Sequence, residues 1–264
     1  MTGRSALIGH TGFVGQNFAA HHSFDDLYNT SNIADIEGRG YELVVCAANR
    51  ADSYRINQQQ EQDLAEVRAL AELLGRVRIA KLVIVSTVCV YPGETTPDET
   101  TPLSPEGLTP YGQNRLWFEQ ELSRRVDTLV LRLPQLYGQG IKKGVVHDLI
   151  ADHRVDYINA ADRMQHYDLG RIWSDTSSAL ELGLPALNLA TPPIENARLA
   201  AEVFGRRLRP TPVEPPSPFA TMYSRDMRTV HAEQLGGTAP YLCTEEEELD
   251  SLRRFVTSRR DVHA

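Results

Sequence analysis

The fold is decided by the stretch Ser5-Ala-Leu-Ile-Gly-His-Thr-Gly-Phe-Val-Gly15. Its apolar run at 6–8 predicts a buried strand, and residues 15–21 predict the helix that follows. The three glycines between them lie where the absence of side chains lets backbone N–H groups approach a pyrophosphate at a helix N-terminus. This stretch therefore predicts a dinucleotide-binding loop. Because the glycine spacing is GxxGxxG and not GxGxxG, an ordinary tight turn between strand and helix remains the alternative.

The same alternation of strand and helix continues after this stretch. Apolar runs at 43–45, 82–85 and 129–131 predict further buried strands, and residues 64–74 and 116–126 predict helices between them. This order predicts an α/β fold, a Rossmann-type doubly wound parallel sheet with helices on both faces.

Beyond residue 133 the pattern changes to more scattered elements. We expect a dinucleotide-binding domain over 1–133 and a smaller C-terminal substrate lobe over 134–264, part of which is free to pack back on the first domain. The predicted elements of this lobe are helices at 145–152, 169–182 and 195–204 and a strand at 187–189. The prolines of 209–218 predict an extended connector, and the acidic run 245–248 predicts the first turn of a helix.

Composition and charge limit the partners. The chain has 264 residues and a formal net charge of −8, without a basic stripe, so we expect neither nucleic acid nor an anionic membrane as a partner. No apolar run approaches the roughly 18 residues that span a bilayer. The three cysteines are far apart and form no CxxC pair, so we expect no metal site and a cytoplasmic, reducing location.

The choice of dinucleotide depends on the end of the second strand. An acidic residue about 20 residues after the glycine loop usually binds the ribose 2′-hydroxyl of NAD. Here Asn29 follows Leu27-Tyr28, and it lacks the charge that would repel a 2′-phosphate, although no arginine stands in Leu27–Ser31 to bind one. We expect NAD or NADP, and Asn29 favours NADP.

Six segments give the chain a resemblance to a known family. They are Gly9–Gly15, Ser86–Pro92, Tyr111–Arg115, Arg132–Gly138, Arg163–Asp168 and Leu187–Thr191. Together they resemble the extended short-chain dehydrogenase/reductases, the NAD-dependent epimerase/dehydratase family that includes nucleotide-sugar epimerases, dehydratases and 4-keto reductases. The resemblance covers nearly the whole chain.

The resemblance implies a catalytic Ser/Thr, Tyr and Lys set. Thr87 matches the hydroxyl that holds the substrate oxygen, and Tyr111 matches the acid/base that exchanges its proton. A tyrosine with the ordinary pKa near 10 needs a nearby cation to act as a base at neutral pH. Arg115 stands at the lysine position, one helical turn after Tyr111, and keeps the positive charge with a different geometry.

Other positions carry over from the family as cofactor or substrate contacts. Asp35-Ile36 matches a pair beside adenine, Ala47–Arg50 a loop beside the pyrophosphate, and Leu133-Pro134 a segment beside the nicotinamide. The full set of candidate cofactor residues is Gly9, Thr11, Gly12, Phe13, Val14, Gly15, Asn29, Asp35, Ile36, Ala47, Ala48, Asn49, Arg50, Leu133 and Pro134. The candidate substrate residues are Cys89, Gln135 and Arg163, and for the last two a structural role is an equal alternative.

The residues after Thr87 separate the reaction classes of the family. In 4,6-dehydratases an Asp-Glu pair follows the catalytic threonine, but here Val88 and Cys89 follow it, which disfavours dehydration. The stretch also resembles GDP-4-keto-6-deoxymannose epimerase/reductases, in which a cysteine at the place of Cys89 transfers a proton. Their histidine partner would align near Gly144, and His147 is the nearest substitute. A buried structural thiol is the alternative for Cys89.

We therefore expect an NAD(P)-dependent enzyme that epimerises or reduces a nucleotide-linked sugar or a similar small keto or hydroxy compound. The alternative is a dinucleotide-binding regulator or scaffold whose catalytic set has decayed, since Arg115 replaces the lysine. A small-molecule substrate is the predicted partner. Monomer and homodimer both remain open.

Overall fold

A computed structural model describes residues 3–93, 95–209, 223 and 225–261. The chain forms two compact units. The first comprises Met1–Pro92, Pro102–Arg132 and Arg171–Leu187, and the second comprises Gly93–Thr101, Leu133–Gly170 and Asn188–Ala264. Residues 171–187 thus belong to the first unit, although they follow the predicted boundary at residue 133.

The strands and helices of the described residues follow the predicted order. The strands are β1 (Ser5–Ile8), β2 (Asp26–Tyr28), β3 (Gly40–Cys46), β4 (Arg78–Thr87), β5 (Thr128–Leu133), β6 (Gln135–Tyr137), β7 (Arg163–Met164), β8 (His166–Asp168), β9 (Ala186–Asn188) and β10 (Ile194–Glu195). The helices are α1 (Phe13–His21), α2 (Ser53–Gln58), α3 (Gln60–Leu74), α4 (Pro110–Ser123), α5 (Val145–Ala151), α6 (Ile172–Glu181), α7 (Asn196–Phe204) and α8 (Glu245–Asp261). No helix among the described residues has both the length and the apolar character needed to cross a membrane.

The first unit is built on a six-stranded sheet in the order β2-β1-β3-β4-β5-β9. The pairs β1·β2, β1·β3 and β3·β4 are parallel. The predicted Rossmann-type α/β fold is confirmed. The order reverses beside β1, with β2 on one side and β3 on the other, and the carboxyl ends of strands at such a reversal form the usual ligand crevice.

Helices cover both faces of this sheet because alternate residues of a strand point to opposite faces. One face packs on α3 and α4, and its core contains Ala6, Ile8, Val44, Cys46, Leu82 and Ile84 from the strands with Val67, Ala71, Leu74, Phe118 and Leu122 from the helices. The intervening strand residues point to the other face, where α1 and α6 are in contact. There His22 stacks on Trp173 with 3.6 Å between ring centroids.

Helix α4 starts earlier than the sequence pattern predicted. The expected helix began at residue 116, whereas the observed one begins at Pro110 and ends at Ser123. The side chain of Thr109 accepts a hydrogen bond from the N–H of Gly112 at 3.3 Å, and proline is well suited to the first helical position. The first turn of α4 is polar and lacks an apolar stripe, so hydrophobic periodicity did not predict this start.

The second unit contains two small sheets. β6 pairs with β8 in parallel, and β7 pairs with β10 antiparallel. α8 begins with a capping box, in which Thr244 Oγ1 accepts from the N–H of Glu247 and the Glu247 carboxylate accepts from the N–H of Thr244. The predicted acidic first turn is therefore confirmed. Most of the predicted extended connector, residues 210–218, lies outside the described residues.

Candidate active site

Two glycines of the predicted phosphate loop are required by the fold itself. Gly9 follows β1 with a φ of +86°, and a Cβ there would lie 2.6 Å from the carbonyl oxygen of Ala47. A Cβ at Gly15 would overlap the carbonyl oxygen of Gly9. The loop after β1 is thus packed directly against the loop after β3, so that both lie at the reversal of strand order.

Gly12 is less constrained by the protein than Gly9 and Gly15. Its φ of −79° and ψ of 165° suit any residue, but a Cβ would lie 3.3 Å from the carbonyl oxygen of Gly9, a tight contact that the loop would have to relieve by a few tenths of an ångström. Glycine at this position also leaves room for a ligand to approach the backbone closely.

Hydrogen-bond donors remain available in the two loops. The first N–H groups of a helix have no acceptor within the helix, and Gly12, the N-cap of α1, supplies no side chain to accept from them. In the loop after β3, the buried Nδ2 of Asn49 has no hydrogen-bond partner among the described residues. Free N–H donors at a helix N-terminus suit an anion such as a pyrophosphate. The predicted loop residues 9–15 and 47–50 therefore fit a dinucleotide.

The predicted ribose residue Asn29 comes directly after β2 and lies beside the loop. Its Nδ2 is 3.3 Å from Nε2 of His10, and its Oδ1 accepts hydrogen bonds from the N–H of Ser31 at 2.8 Å and from the Ser31 hydroxyl at 2.6 Å. The amide is thus held at the carboxyl edge of the sheet. Of the predicted adenine pair, Asp35 is exposed, whereas Ile36 is fully buried in the core.

Thr87 lies where β4 ends. Its hydroxyl oxygen accepts a hydrogen bond of 3.2 Å from the N–H of Cys89, which caps a short 3-10 turn over Val88–Val90. Both Thr87 and Cys89 are buried. The turn packs directly against α4, since a Cβ on Gly112 would overlap the carbonyl oxygen of Cys89.

Two contacts hold Tyr111 at the start of α4: the close packing of Gly112 on Cys89, and a hydrogen bond from the Tyr111 backbone. The N–H of Tyr111 donates to Oδ1 of Asn57 in α2 at 2.9 Å. Burial raises the pKa of the phenol, and Arg115 and a hydrogen bond to Thr87 act in the opposite direction. The structure thus brings Thr87, Tyr111 and Arg115 together, with the Arg115 Cζ 4.8 Å from the centre of the Tyr111 ring.

Arg115 has a buried partner that the sequence analysis did not identify. Its Nη1 and Nη2 each donate to one oxygen of Asp63 at 2.9 Å, and Nη2 also donates to the carbonyl of Arg50 at 2.7 Å. Arg115 Nε is buried without a hydrogen-bond partner among the described residues. One signal for Asp63 existed: it lies on the apolar stripe of α3, four residues before Val67, where a charged side chain needs a partner.

A second buried ion pair fixes the same part of the unit. Arg132 of β5 donates to Glu119 of α4, with 2.9 Å between Nη2 and Oε2, and to the hydroxyl of Tyr91 at 2.8 Å. Ser86 donates to the same carboxylate. This network joins β4, β5 and α4, so it fixes the strand that ends at Thr87 against the helix that carries Tyr111.

The remaining predicted residues lie in the second unit. Leu133 and Pro134 are buried, and the amide of Gln135 donates to the sulfur of Met164. Arg163 is exposed and its Nη2 donates to the carbonyl of Pro193 at 2.7 Å. The described contacts of Gln135 and Arg163 link neighbouring segments of the second unit, which is a structural role.

Comparisons with known proteins identify the family of the chain. A family model described as NAD dependent epimerase/dehydratase family matches residues 23–161. No curated protein matches the sequence.

Solved structures share the fold over nearly the whole chain. A dTDP-4-dehydrorhamnose reductase from Clostridium acetobutylicum is 15% identical with a TM-score of 0.74, covering 97% of this chain and 99% of that one. The same enzyme from Bacillus anthracis, in complex with NADP, is 16% identical with a TM-score of 0.72 over 98% and 100%. A UDP-glucose 4-epimerase from Thermotoga maritima, with UDP-glucose, is 13% identical with a TM-score of 0.73 over 99% and 100%.

Proposed function

We propose a reaction for this chain on the premise that it belongs to the NAD-dependent epimerase/dehydratase family, whose model matches more than half of it. The predicted family is thus confirmed, and with it the expectation of an NAD(P)-dependent enzyme. Our proposal is that the chain epimerises or reduces a nucleotide-linked sugar, or a similar small sugar-like compound, at a carbon that carries a keto or hydroxyl group.

The observation that carries this proposal is the buried group formed by Thr87, Tyr111 and Arg115. It lies beside the carboxyl end of β4, in the same unit as the glycine loop that contains Gly12. A phenol, a hydroxyl and a cation in contact are what a carbonyl oxygen needs in order to gain or lose a proton. A scaffold that only bound a dinucleotide would have no use for this group.

Each residue has a distinct task in the proposed mechanism. The Thr87 hydroxyl holds the substrate oxygen, and Tyr111 Oη gives that oxygen a proton during reduction or takes it during oxidation. When bound, the nicotinamide supplies or accepts the hydride at the carbon. The positive charge of Arg115 lowers the energy of the phenolate form of Tyr111.

The residues around Thr87 support redox chemistry over dehydration. Elimination of water needs a further acid and base beside the threonine, and the turn after Thr87 supplies only Val88 and Cys89. Relatives in fold include a dTDP-4-dehydrorhamnose reductase and a UDP-glucose 4-epimerase, which by their names act on nucleotide sugars. This supports a nucleotide-linked sugar as the substrate class.

The decisive experiment measures cofactor turnover on a panel of nucleotide-linked 4-keto sugars. Purified protein is mixed with NADPH or NADH and each compound, and loss of absorbance at 340 nm is followed. Turnover of at least one member is expected, and the Tyr111→Phe variant serves as the control. Tight binding of the dinucleotide without turnover of any member, or of the corresponding hydroxy sugars, would instead favour the scaffold alternative.

For the cofactor we propose NADP. Asn29 bears no charge to repel a 2′-phosphate, and two relatives in fold were solved with NADP or NADPH. We also place the enzyme in the cytoplasm, because all three cysteines are buried thiols, which suits a reducing compartment.

Replacing Asn29 by aspartate should shift the preference towards NAD. The substitution keeps both hydrogen bonds that Oδ1 accepts from Ser31 and places an oxygen where Nδ2 lies beside His10, whose Nε2 can donate to it in the matching tautomer. The new charge accepts from a 2′-hydroxyl and repels a 2′-phosphate, which we expect to change the ratio of NADP to NAD affinity at least about tenfold. Titrations of both dinucleotides check this. Gln120→Glu, an exposed change on α4 with the same charge, is the control; an unchanged ratio for Asn29→Asp would remove Asn29 from the ribose site.

A further inference from the structure

Asp63, the buried partner of Arg115, alters the charge that Arg115 presents to Tyr111. Arg115 is 2% exposed and Asp63 6%, and two parallel hydrogen bonds of 2.9 Å join them. Such a bidentate pair between planar groups is fixed in geometry as well as in charge. The cation beside Tyr111 is therefore one half of a dipole and does not act as an isolated charge.

The carboxylate of Asp63 has a further hydrogen-bond partner. Besides the two bonds from Arg115, its Oδ2 accepts a hydrogen bond of 2.8 Å from Asn114 Nδ2. The negative end of this ion pair thus lies directly behind the guanidinium, inside the protein where solvent screens it little.

The other described groups around Tyr111 do not supply the positive charge that Asp63 offsets on Arg115. From its own helix, Arg115 faces the ring. From the turn after β4, the thiol of Cys89 raises the pKa of the phenol, while Thr87 at the end of β4 lowers it. From α2 the contact is the neutral amide of Asn57, and from α3 Asp63 acts through Arg115. The surroundings therefore favour the neutral phenol over the phenolate.

We propose that Asp63 is a positioning residue that cancels much of the charge of Arg115, which keeps Tyr111 protonated and makes the site a better proton donor than proton acceptor at neutral pH. This rests on the proposed function and narrows it. The favoured chemistry is reduction of a carbonyl: its carbon gains a hydride from the reduced nicotinamide, and its oxygen gains the Tyr111 proton, giving a hydroxyl. The phenolate then recovers a proton from water.

The reverse step needs the opposite form of Tyr111. Oxidation of a hydroxyl requires phenolate to take the proton while the oxidised nicotinamide takes the hydride. Its rate should rise with pH until the phenol is ionised, whereas reduction should be nearly independent of pH across the neutral range. We infer that this enzyme works as a 4-keto reductase, and that epimerisation through successive oxidation and reduction would be slow.

A double-mutant cycle tests the cancellation directly. The variants are Asp63→Asn, Arg115→Gln and the two combined, and the last leaves no buried charge unpaired, so it is the one best able to fold. Each protein carries tyrosine labelled with ¹³C at Cζ, and the Tyr111 resonance is identified by its absence in Tyr111→Phe. The ionisation of the phenol is then followed by NMR as the pH is raised, within the range where circular dichroism shows the folded state.

The cycle has a distinct expected result. Asp63→Asn should ionise Tyr111 at lower pH than the wild type, and Arg115→Gln at higher pH. The double variant should stay close to the wild type, since it loses both charges. If the double variant follows Arg115→Gln instead, or if folded Asp63→Asn titrates as the wild type, Asp63 has only a structural role and the proposal is overturned. The double variant decides the question even if Asp63→Asn does not fold.

A kinetic measurement provides a second readout. Asp63→Asn should shift the rise of hydroxyl oxidation with pH to lower pH, by roughly one pH unit, because the phenolate of Tyr111 then forms at lower pH. An unshifted pH profile would contradict the proposal. The NMR titration needs no substrate, so an error in the assigned substrate class leaves its outcome intact, and the two failures can be distinguished.

Discussion

Replacing Tyr111 by phenylalanine should remove turnover and leave dinucleotide binding close to that of the wild type. The phenolic oxygen is the group in contact with Thr87 and Arg115 that can exchange a proton with the substrate oxygen. Proton transfer of this kind contributes about 10²- to 10⁴-fold to a rate, so kcat should fall by that order. Turnover with a substrate found in the panel and titration of NADPH check the two halves of this expectation.

A matched control separates catalysis from packing. Tyr41 is also a buried tyrosine of the first unit, but it lies near the start of β3 and its hydroxyl donates to Asp26 at 2.7 Å. Tyr41→Phe removes one buried hydroxyl in the same way and should lower stability by about 1 kcal/mol without a comparable loss of kcat. A Tyr111→Phe enzyme that turns over at the wild-type rate would show that another group moves the proton.

The candidate catalytic residues could be selected because the resemblance to a family rests on short segments of sequence. Tyr111 and Arg115 are four residues apart in one such segment, and Thr87 stands at the end of an apolar strand. The structure confirms that strand, and it starts α4 at Pro110, so that Tyr111 and Arg115 lie one turn apart on the same helix. The functional role assigned to each residue remains a prediction.

The partner of Arg115 could not be found in this way. Asp63 is 52 residues distant in sequence, and the pairing depends on how α3 packs against α4. A carboxylate on an apolar helical stripe indicates that a partner exists, but the pattern of one helix does not name it. The same holds for Glu119 of α4, whose partner Arg132 lies on a strand.

The second unit was less predictable than the first for a physical reason. The strands of the central sheet are continuous apolar runs, such as Leu43–Val45, and they are buried on both faces. β7 and β10 contain two residues each and β6 and β8 three, so they exist only through their pairing. Periodicity needs a longer run than this to reveal a strand.

Replacing Gly12 by valine should abolish dinucleotide binding while the protein stays folded. The backbone at Gly12 is extended, a conformation that valine favours, and the new Cβ would approach one carbonyl oxygen at 3.3 Å. We expect a loss of stability of about 1 kcal/mol, mainly because valine is a poor N-cap. The branched side chain would, however, fill the space in which a pyrophosphate meets the N–H groups of α1.

Gly15→Ala is the control variant for this test. Its single methyl group would overlap the carbonyl oxygen of Gly9 and force the loop or α1 to move, which we expect to lower stability by about 1–3 kcal/mol. Thermal unfolding and NADPH titration of both variants should therefore separate the two glycines: Gly12→Val loses the ligand, and Gly15→Ala loses stability as well. If Gly12→Val binds NADPH with wild-type affinity, the phosphate does not lie at the N-terminus of α1, and the glycine there has another cause.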